Sequence, residues 1–341
     1  MKTNRAALWG ALLIILLSVS GTCLLSCKDT PPFPAPPVKA EQLALGLAIH
    51  PSSALVMIAL EKGFFSESGL ELTVRQYPSG KRALMEGLLT DSVDVSTSAD
   101  VPVVFATLRG ADVRILCSTY NADNINRIVG RRDASIEKPG DLAGKRLATQ
   151  RASAVHFFLH LFLLEHNVSD SDVEMSYHKA EDLPLALANA TTDAFSMREP
   201  YISQASQMLG DNALVFSAPG IYVQHELLLA REGTVRERPQ AIKRLIAGLL
   251  KAEDFARANP TEAIHIVSKK LGVPPDTVGD LLEGGSFRVS LQQSMLVMLE
   301  DISRWAISLE GGNGSSMPDY LDIIYLQGLG GLKPRAVTII Q

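Results

Sequence analysis

Cysteine is scarce. The chain has three, at positions 23, 27 and 117, too few for a disulfide framework, so an apolar core must hold the fold. A basic surplus is also missing. Lys and Arg number 32 against 37 Asp and Glu, a net charge of −5, and nucleic-acid binders usually carry the opposite balance. No G-x-x-x-x-G-K-[ST] run is present, which excludes a phosphate loop, and no G-x-S-x-G, which excludes a nucleophile elbow. The Gly-rich stretch at 328–331 has no strand–helix context and is not a dinucleotide fingerprint. What remains is an ordinary globular mixture, 46% hydrophobic and 20% charged. That composition excludes collagen-like, coiled-coil and largely disordered chains. A length of 341 residues fits one large domain or two lobes.

The N-terminus has the layout of an export signal. Lys2 and Arg5 precede an apolar run at 6–17, and small residues at 18–26 lead to Cys27. Leu24-Leu25-Ser26-Cys27 resembles the bacterial lipobox, with cleavage before Cys27 and a lipid on its thiol. Cys23 lacks the aliphatic residue three positions earlier. The alternative is an uncleaved membrane-spanning helix over 6–26. Either way the rest of the chain lies outside the cytoplasm, tethered to a membrane. Cys117 is then the one thiol left in the mature chain besides the lipidated one, so no intrachain disulfide forms. Five prolines in KDTPPFPAPPVKA, 28–40, read as a semi-rigid polyproline spacer.

Beyond the spacer the pattern alternates strand and helix. Strands are expected at 43–49, 70–77, 93–96 and 114–120, with helices at 53–62, 81–89 and 102–110 and Gly63 as a C-cap. The rhythm restarts with strands at 145–149, 173–178 and 194–197 and helices at 155–165 and 182–190. Leu45 and Leu147, Val74 and Met175, and Asp94 and Asp193 are each about 100 residues apart, the mark of a duplicated lobe. The segment LVFSAPGIYVQHELLLA, 214–230, reads as a strand, a break and a returning strand; the remainder is helical. The expected architecture is α/β and two-lobed, each lobe a mostly parallel sheet flanked by helices. Lobe one takes 41–119 with 222–341, and lobe two 120–221. Hinge strands are expected at 117–121 and 217–224, with closure around a ligand.

The motifs within 43–260 extend this reading. They are Lys62-Gly63-Phe64-Phe65, Gly69-Leu70, Leu142-Ala143-Gly144-Lys145, the loop Arg151-Ala152-Ser153-Ala154, Asn189-Ala190-Thr191-Thr192-Asp193-Ala194 and Glu199-Pro200-Tyr201. In order and spacing they resemble the ABC-transporter substrate-binding proteins of the nitrate/sulfonate/taurine type, a group that includes receptors for thiamine-precursor pyrimidines. Ala152 stands where that family usually has Gly, and Asn189-Ala190 where it has Ser-Gly. The resemblance implies a periplasmic-binding-protein-like fold of type II and a ligand contact from the Ser153 loop. It also implies a permease and ATPase subunits as partners, with no catalysis.

Ligands of open α/β sheets sit beyond the carboxyl ends of the strands. The expected ligand-binding residues are therefore His50, Ser53, Ser98, Arg151, Ser153, Glu199 and Tyr222. Each has a plainer alternative. Ser53 and Ser153 open helices, where a serine caps exposed N–H groups. Arg151 is either a partner for an oxyanion or a solvated surface charge. Glu199 holds a ligand or the hinge, Asp100 pairs an amine or caps a helix, and Tyr222 stacks on a ring or packs. His156 and His160 share a helix face at metal-ligand spacing, but Phe157 stands where a zincin has Glu, so no metal is expected. The expected protein is a monomeric, membrane-tethered, extracytoplasmic solute receptor with a small-molecule ligand, no cofactor and no nucleic acid. The ligand is either a sulfonate-, taurine- or nitrate-like anion or a pyrimidine. Its rivals are a sensor subunit for a membrane kinase and an enzyme on the same fold.

Overall fold

In the strand Glu41–Ala48 (β1), two polar residues lead into the apolar run LALGLA. An uninterrupted run suits a strand covered on both faces, and β1 has parallel neighbours on both sides. These are β2, Leu70–Tyr77, and β3, Val95–Ala99. β2 alternates buried or partly buried residues with exposed ones over 70–75, as an edge strand with one solvated face should. The computed structural model describes residues 40–310 and 316–340. The export signal, Cys27 and all of the spacer but its last residue lie outside the described residues.

Two sheets organise these residues. The first adds β4, Arg114–Ala122, β10, Gln224–Ala230, and the short β11, Gly285–Ser286, in the order β11-β4-β10-β3-β1-β2. The second contains β5, Arg127–Arg131, β6, Arg146–Thr149, β7, Glu174–Tyr177, β8, Ala194–Met197, and β9, Ala213–Phe216, in the order β7-β6-β8-β5-β9. The expectation of mostly parallel sheets needs correction. Both are mixed, because β10 runs antiparallel to β3 and β4, and β5 antiparallel to β8 and β9. Each antiparallel strand enters its sheet directly from the other one, so it arrives from the opposite end. β5 went unread in the sequence because its five residues, RIVGR, are bounded by charges and too short for a pattern.

The duplication shows in matching bonds. The Asp94 carboxylate accepts the Ala44 N–H at 2.7 Å, and the Asp94 N–H returns to Ala44 O at 2.9 Å. Asp193 does the same with Arg146, at 2.9 and 2.8 Å. Each aspartate thus clamps the middle strand of its sheet's parallel trio, Asp94 at mid-strand in β1 and Asp193 at the first residue of β6.

The helix Ala54–Glu61 follows β1 and the helix Ala154–Glu165 follows β6. Gly63 lies at φ +74°, in the left-handed region that glycine enters without strain, and ends the first of these helices. The expected helix at 81–89 is helical throughout but widens. Gly80–Arg82 gives way to a π-turn, Ala83–Gly87, and a 3-10 turn, Leu88–Thr90. The chain passes between the sheets at 123–126 and again at 217–223. Cys117–Asn121 is an integral part of β4, paired with β10.

Candidate functional site

At one edge of the first sheet, β1, β3 and β4 end and the antiparallel β10 begins. The facing edge of the second sheet carries the ends of β6 and β8. Hydrogen bonds join these edges. Gln150 Nε2 donates to Ser79 Oγ at 3.0 Å, and Arg198 Nη1 donates to Gln224 Oε1 at 3.2 Å. Tyr201 OH donates to Pro78 O at 3.0 Å, and Lys81 Nζ donates to Arg151 O at 2.5 Å. Gly80 lets the segment carrying Ser79 and Lys81 pack against β3 of its own sheet, since a Cβ there would stand 3.0 Å from Ser98 Cα.

Between the edges lies a buried polar cluster. His50 Nε2 is 3.6 Å from Glu226 Oε1, and His225 Nδ1 is 3.7 Å from Asp100 Oδ2. Asp100 is fully satisfied: Tyr222 OH and the backbone N–H groups of Val101, at 2.8 Å, and His225, at 2.9 Å, all donate to it. Its neighbours are not. Both ring nitrogens of His50, the hydroxyls of Ser52 and Ser53, Gln224 Nε2 and both Glu226 oxygens have no hydrogen-bond partner in the chain, although all are buried. Orphaned buried polar atoms are few in native proteins, and each costs free energy. Partners from outside the chain, ordered water or a ligand, would offset that cost.

Burial sets the charge states. It holds the His50 imidazole well below its usual range, helped by the Arg198 cation. It raises Glu226 to about 8, with Asp100 adding to the rise while Arg198 and the Thr97 hydroxyl pull the other way. Tyr222 is held protonated by burial first and by Asp100 next. Burial also lowers Arg198, which Glu226 opposes.

The residues expected to bind ligand divide into three sets. His50, Ser53 and Tyr222 belong to this cluster; Ser53 opens its helix without a side-chain cap bond, which leaves its hydroxyl uncommitted. Ser98, Ser153 and Glu199 are buried at the same edges but turned to their own backbone. Ser98 Oγ donates to Ala99 O at 3.2 Å, Ser153 Oγ donates to Gln150 O, and Glu199 accepts from Ser203 N at 3.0 Å. Arg151 is exposed at the rim, its guanidinium 5.4 Å from the Tyr177 ring centre. Sequence reasoning missed Arg198, His225 and Glu226. A signal was present: Gln224-His225-Glu226 opens a strand that is otherwise LLLA, yet all seven residues are buried.

His160 Nδ1 meets Asp170 Oδ2 at 2.6 Å, and His156 Nδ1 accepts from Ala152 N at 3.3 Å. No group of three possible metal ligands forms among the described residues. Trp305, on the helix Gln293–Leu309, packs against His156 and Phe157 at 5.1 and 5.0 Å between ring centres. A separate cavity of about 590 Å³ lies under the C-terminal helices, lined by Ile58, Ala256, Ile264 and Phe287 among others, and does not touch the polar cluster.

A family model described as NMT1/THI5 like matches residues 50–263. A protein of Escherichia coli named for aliphatic sulfonate binding is 23% identical over 208 residues, 61% of this chain. The match spans 65% of that relative's length, just under two thirds. The taurine-binding periplasmic protein of Escherichia coli is 21% identical over 75% of this chain and 82% of its own. Among solved structures, the alkanesulfonate-binding protein SsuA of Xanthomonas axonopodis, bound to MOPS, superposes with a TM-score of 0.71 at 18% identity. It covers 84% of this chain and 99% of its own. The nitrate-binding protein NrtA of Synechocystis gives 0.70 at 15% identity, covering 86% and 90%. A desulfurization enzyme, DSZB, shares the fold at 0.55 and 18% identity, covering 83% of this chain and 98% of its own. These structural likenesses establish a periplasmic-binding-protein-like fold.

Proposed function

This chain belongs to the NMT1/THI5-like family, and from that footing we propose that it is the extracytoplasmic solute-binding protein of an ABC importer. Its two lobes, one built on each sheet, close on a small organic ligand and present it to a permease whose ATPases drive uptake. The observation that carries this reading is the set of buried, unpartnered polar side chains where the two sheets face each other. Hydrogen bonds from a ligand offset that cost, so binding and closure become one event. The relatives support binding over bond-making, since those named above bind sulfonates, taurine or nitrate, and the enzyme named beside them, DSZB, matches with a lower TM-score. Their periplasmic naming supports export. Among the described residues no helix is long and apolar enough to cross a membrane. We assign the tether to a lipid on Cys27 of a monomeric protein; incorporation of labelled palmitate, lost in Cys27→Ser, checks it.

A thermal-shift screen tests the function. The panel holds taurine, alkanesulfonates, nitrate, bicarbonate and aminopyrimidines. A ligand at about 100 times its Kd adds about 2.7 kcal/mol to the folded state, a clear rise in midpoint. A hit recovered chemically unchanged is the expected result. A ligand that is consumed overturns the receptor reading in favour of an enzyme.

A further inference from the structure

Glu226 is unusual in this site. A pocket for a simple oxyanion calls for cations and N–H donors, and an ionised carboxylate there repels its ligand. Here the carboxyl is fully buried on the central β10, and neither oxygen has a partner at full hydrogen-bond geometry, although the Thr97 hydroxyl lies close enough to pull on it. Its neighbours do not use it. Arg198, the nearest buried cation, makes no ion pair with it within 4.0 Å and spends a donor on Gln224. The closest basic atom is His50 Nε2, at 3.6 Å. Asp100 is already fully occupied by Tyr222, Val101 and His225. Tyr120, opposite Glu226 on β4, donates its hydroxyl to Leu281 O at 3.0 Å. Asp100 and Tyr120 are thus committed elsewhere, His50 stands just beyond hydrogen-bond distance, and the buried Thr97 hydroxyl is the nearby chain donor that favours the carboxylate. The carboxyl is left as an acceptor aimed at something from outside the chain.

We infer that Glu226 receives an N–H donor of the ligand, so the ligand class is one with an ammonium, amidine or ring-amino nitrogen beside its acidic or acceptor group. This rests on the receptor reading and narrows it. Plain alkanesulfonates and nitrate, which have no such nitrogen, are disfavoured. Arg198 and the Ser52 and Ser53 hydroxyls supply the opposite end, with donors for an oxyanion or a ring nitrogen. A cationic ligand also changes the proton inventory. The ligand-free Glu226 carboxyl keeps its proton at neutral pH, and an ammonium placed against it stabilises the carboxylate, so the proton leaves to solvent. His50, His225, Asp100, Arg198 and Tyr222 are the titratable or charged groups facing it. Of these, His50 is held neutral and Tyr222 protonated before and after binding.

The experiment is calorimetry on the full chain with matched pairs of probes. Taurine is compared with ethanesulfonate, and 4-amino-2-methylpyrimidine with 2-methylpyrimidine. Titrations run at pH 7 in two buffers of different ionisation enthalpy. The expected result is binding of the amino member of one pair alone, or more tightly by about 30-fold or more, as for loss of one partner in a buried charged hydrogen bond. With an ammonium ligand, binding releases close to one proton. Glu226→Gln abolishes the preference and the release. Proton release by the wild type stands on its own should the variant fold poorly. Tight, equal binding of ethanesulfonate by wild type and Glu226→Gln overturns the inference and leaves the receptor reading intact. Binding of no pair member overturns the ligand class. Chemical conversion of a bound probe overturns the receptor reading itself.

Discussion

Glu226 ties the site to stability. In the unfolded chain its carboxyl loses its proton near 4.5, whereas in the fold burial raises it to about 8. Between those values the folded state holds a proton that the unfolded state has released, so stability falls as pH rises from about 4.5 to about 8 and then levels. Taken alone, this shift is worth several kcal/mol, on the order of 5 at most. His156 acts in the opposite sense. Burial lowers it to about 4, so the unfolded chain binds a proton first and stability is lost as pH falls from about 6.5 toward 4. The ligand-free protein is therefore expected to be most stable in mildly acidic solution. Thermal melts from pH 6.5 to 8 should show a falling midpoint in the wild type and a flatter one in Glu226→Gln. Equal slopes would mean that Glu226 is ionised in the fold.

Two departures from the family pattern explain themselves as elements. Ala152 and Ala190 occupy positions where the family usually has glycine, and both lie in the left-handed region, at φ +52° and +57°. A Cβ there costs about 1–2 kcal/mol, part of which glycine's greater freedom in the unfolded chain takes back. The loop before Ala154–Glu165 and the turn after Leu183–Ala188 thus keep the shape that glycine would allow. The geometry of these turns belongs to the fold; the side chain does not decide it. The double variant Ala152→Gly/Ala190→Gly is expected to gain about 1 kcal/mol in chemical denaturation. A loss of that size would show that the alanine methyls pack to compensate.

Across the whole molecule, closure depends on groups that meet from different sheets. Arg82 follows β2 of the first sheet and reaches Glu181 of the second at 2.7 Å, at the partly exposed rim. Such a pair is weak, about 0.2–1 kcal/mol. Arg82→Glu is therefore expected to weaken ligand affinity by about two- to fivefold and to lower the on-rate little. Glu181→Arg added to it should restore the affinity, as calorimetry on the two variants checks. No recovery in the double variant would place Arg82 outside the closing contact, with Glu86, its other partner at 2.9 Å.

Some of this was legible in the linear chain. Apolar runs and alternation located β1, β2, β8 and β10. Paired landmarks a hundred residues apart revealed the duplication, and the strand-end rule brought His50, Ser53 and Tyr222 to one edge. These depend on local periodicity and on order along the chain, which the sequence carries by itself. The direction of β5 and β10 was not legible, because it follows from where the chain re-enters each sheet. Nor could the sequence separate Ser153, which turns to Gln150 O, from Ser53, whose hydroxyl stays uncommitted; both are serines opening a helix. Above all, Glu226 reads locally as a polar residue at the start of a strand. Only the tertiary fold buries it from both sheets, sets Arg198 and His50 nearby without pairing them to it, and leaves its carboxyl to a ligand. A charge's role depends on what surrounds it in three dimensions, and those neighbours come from residues 50, 100 and 198.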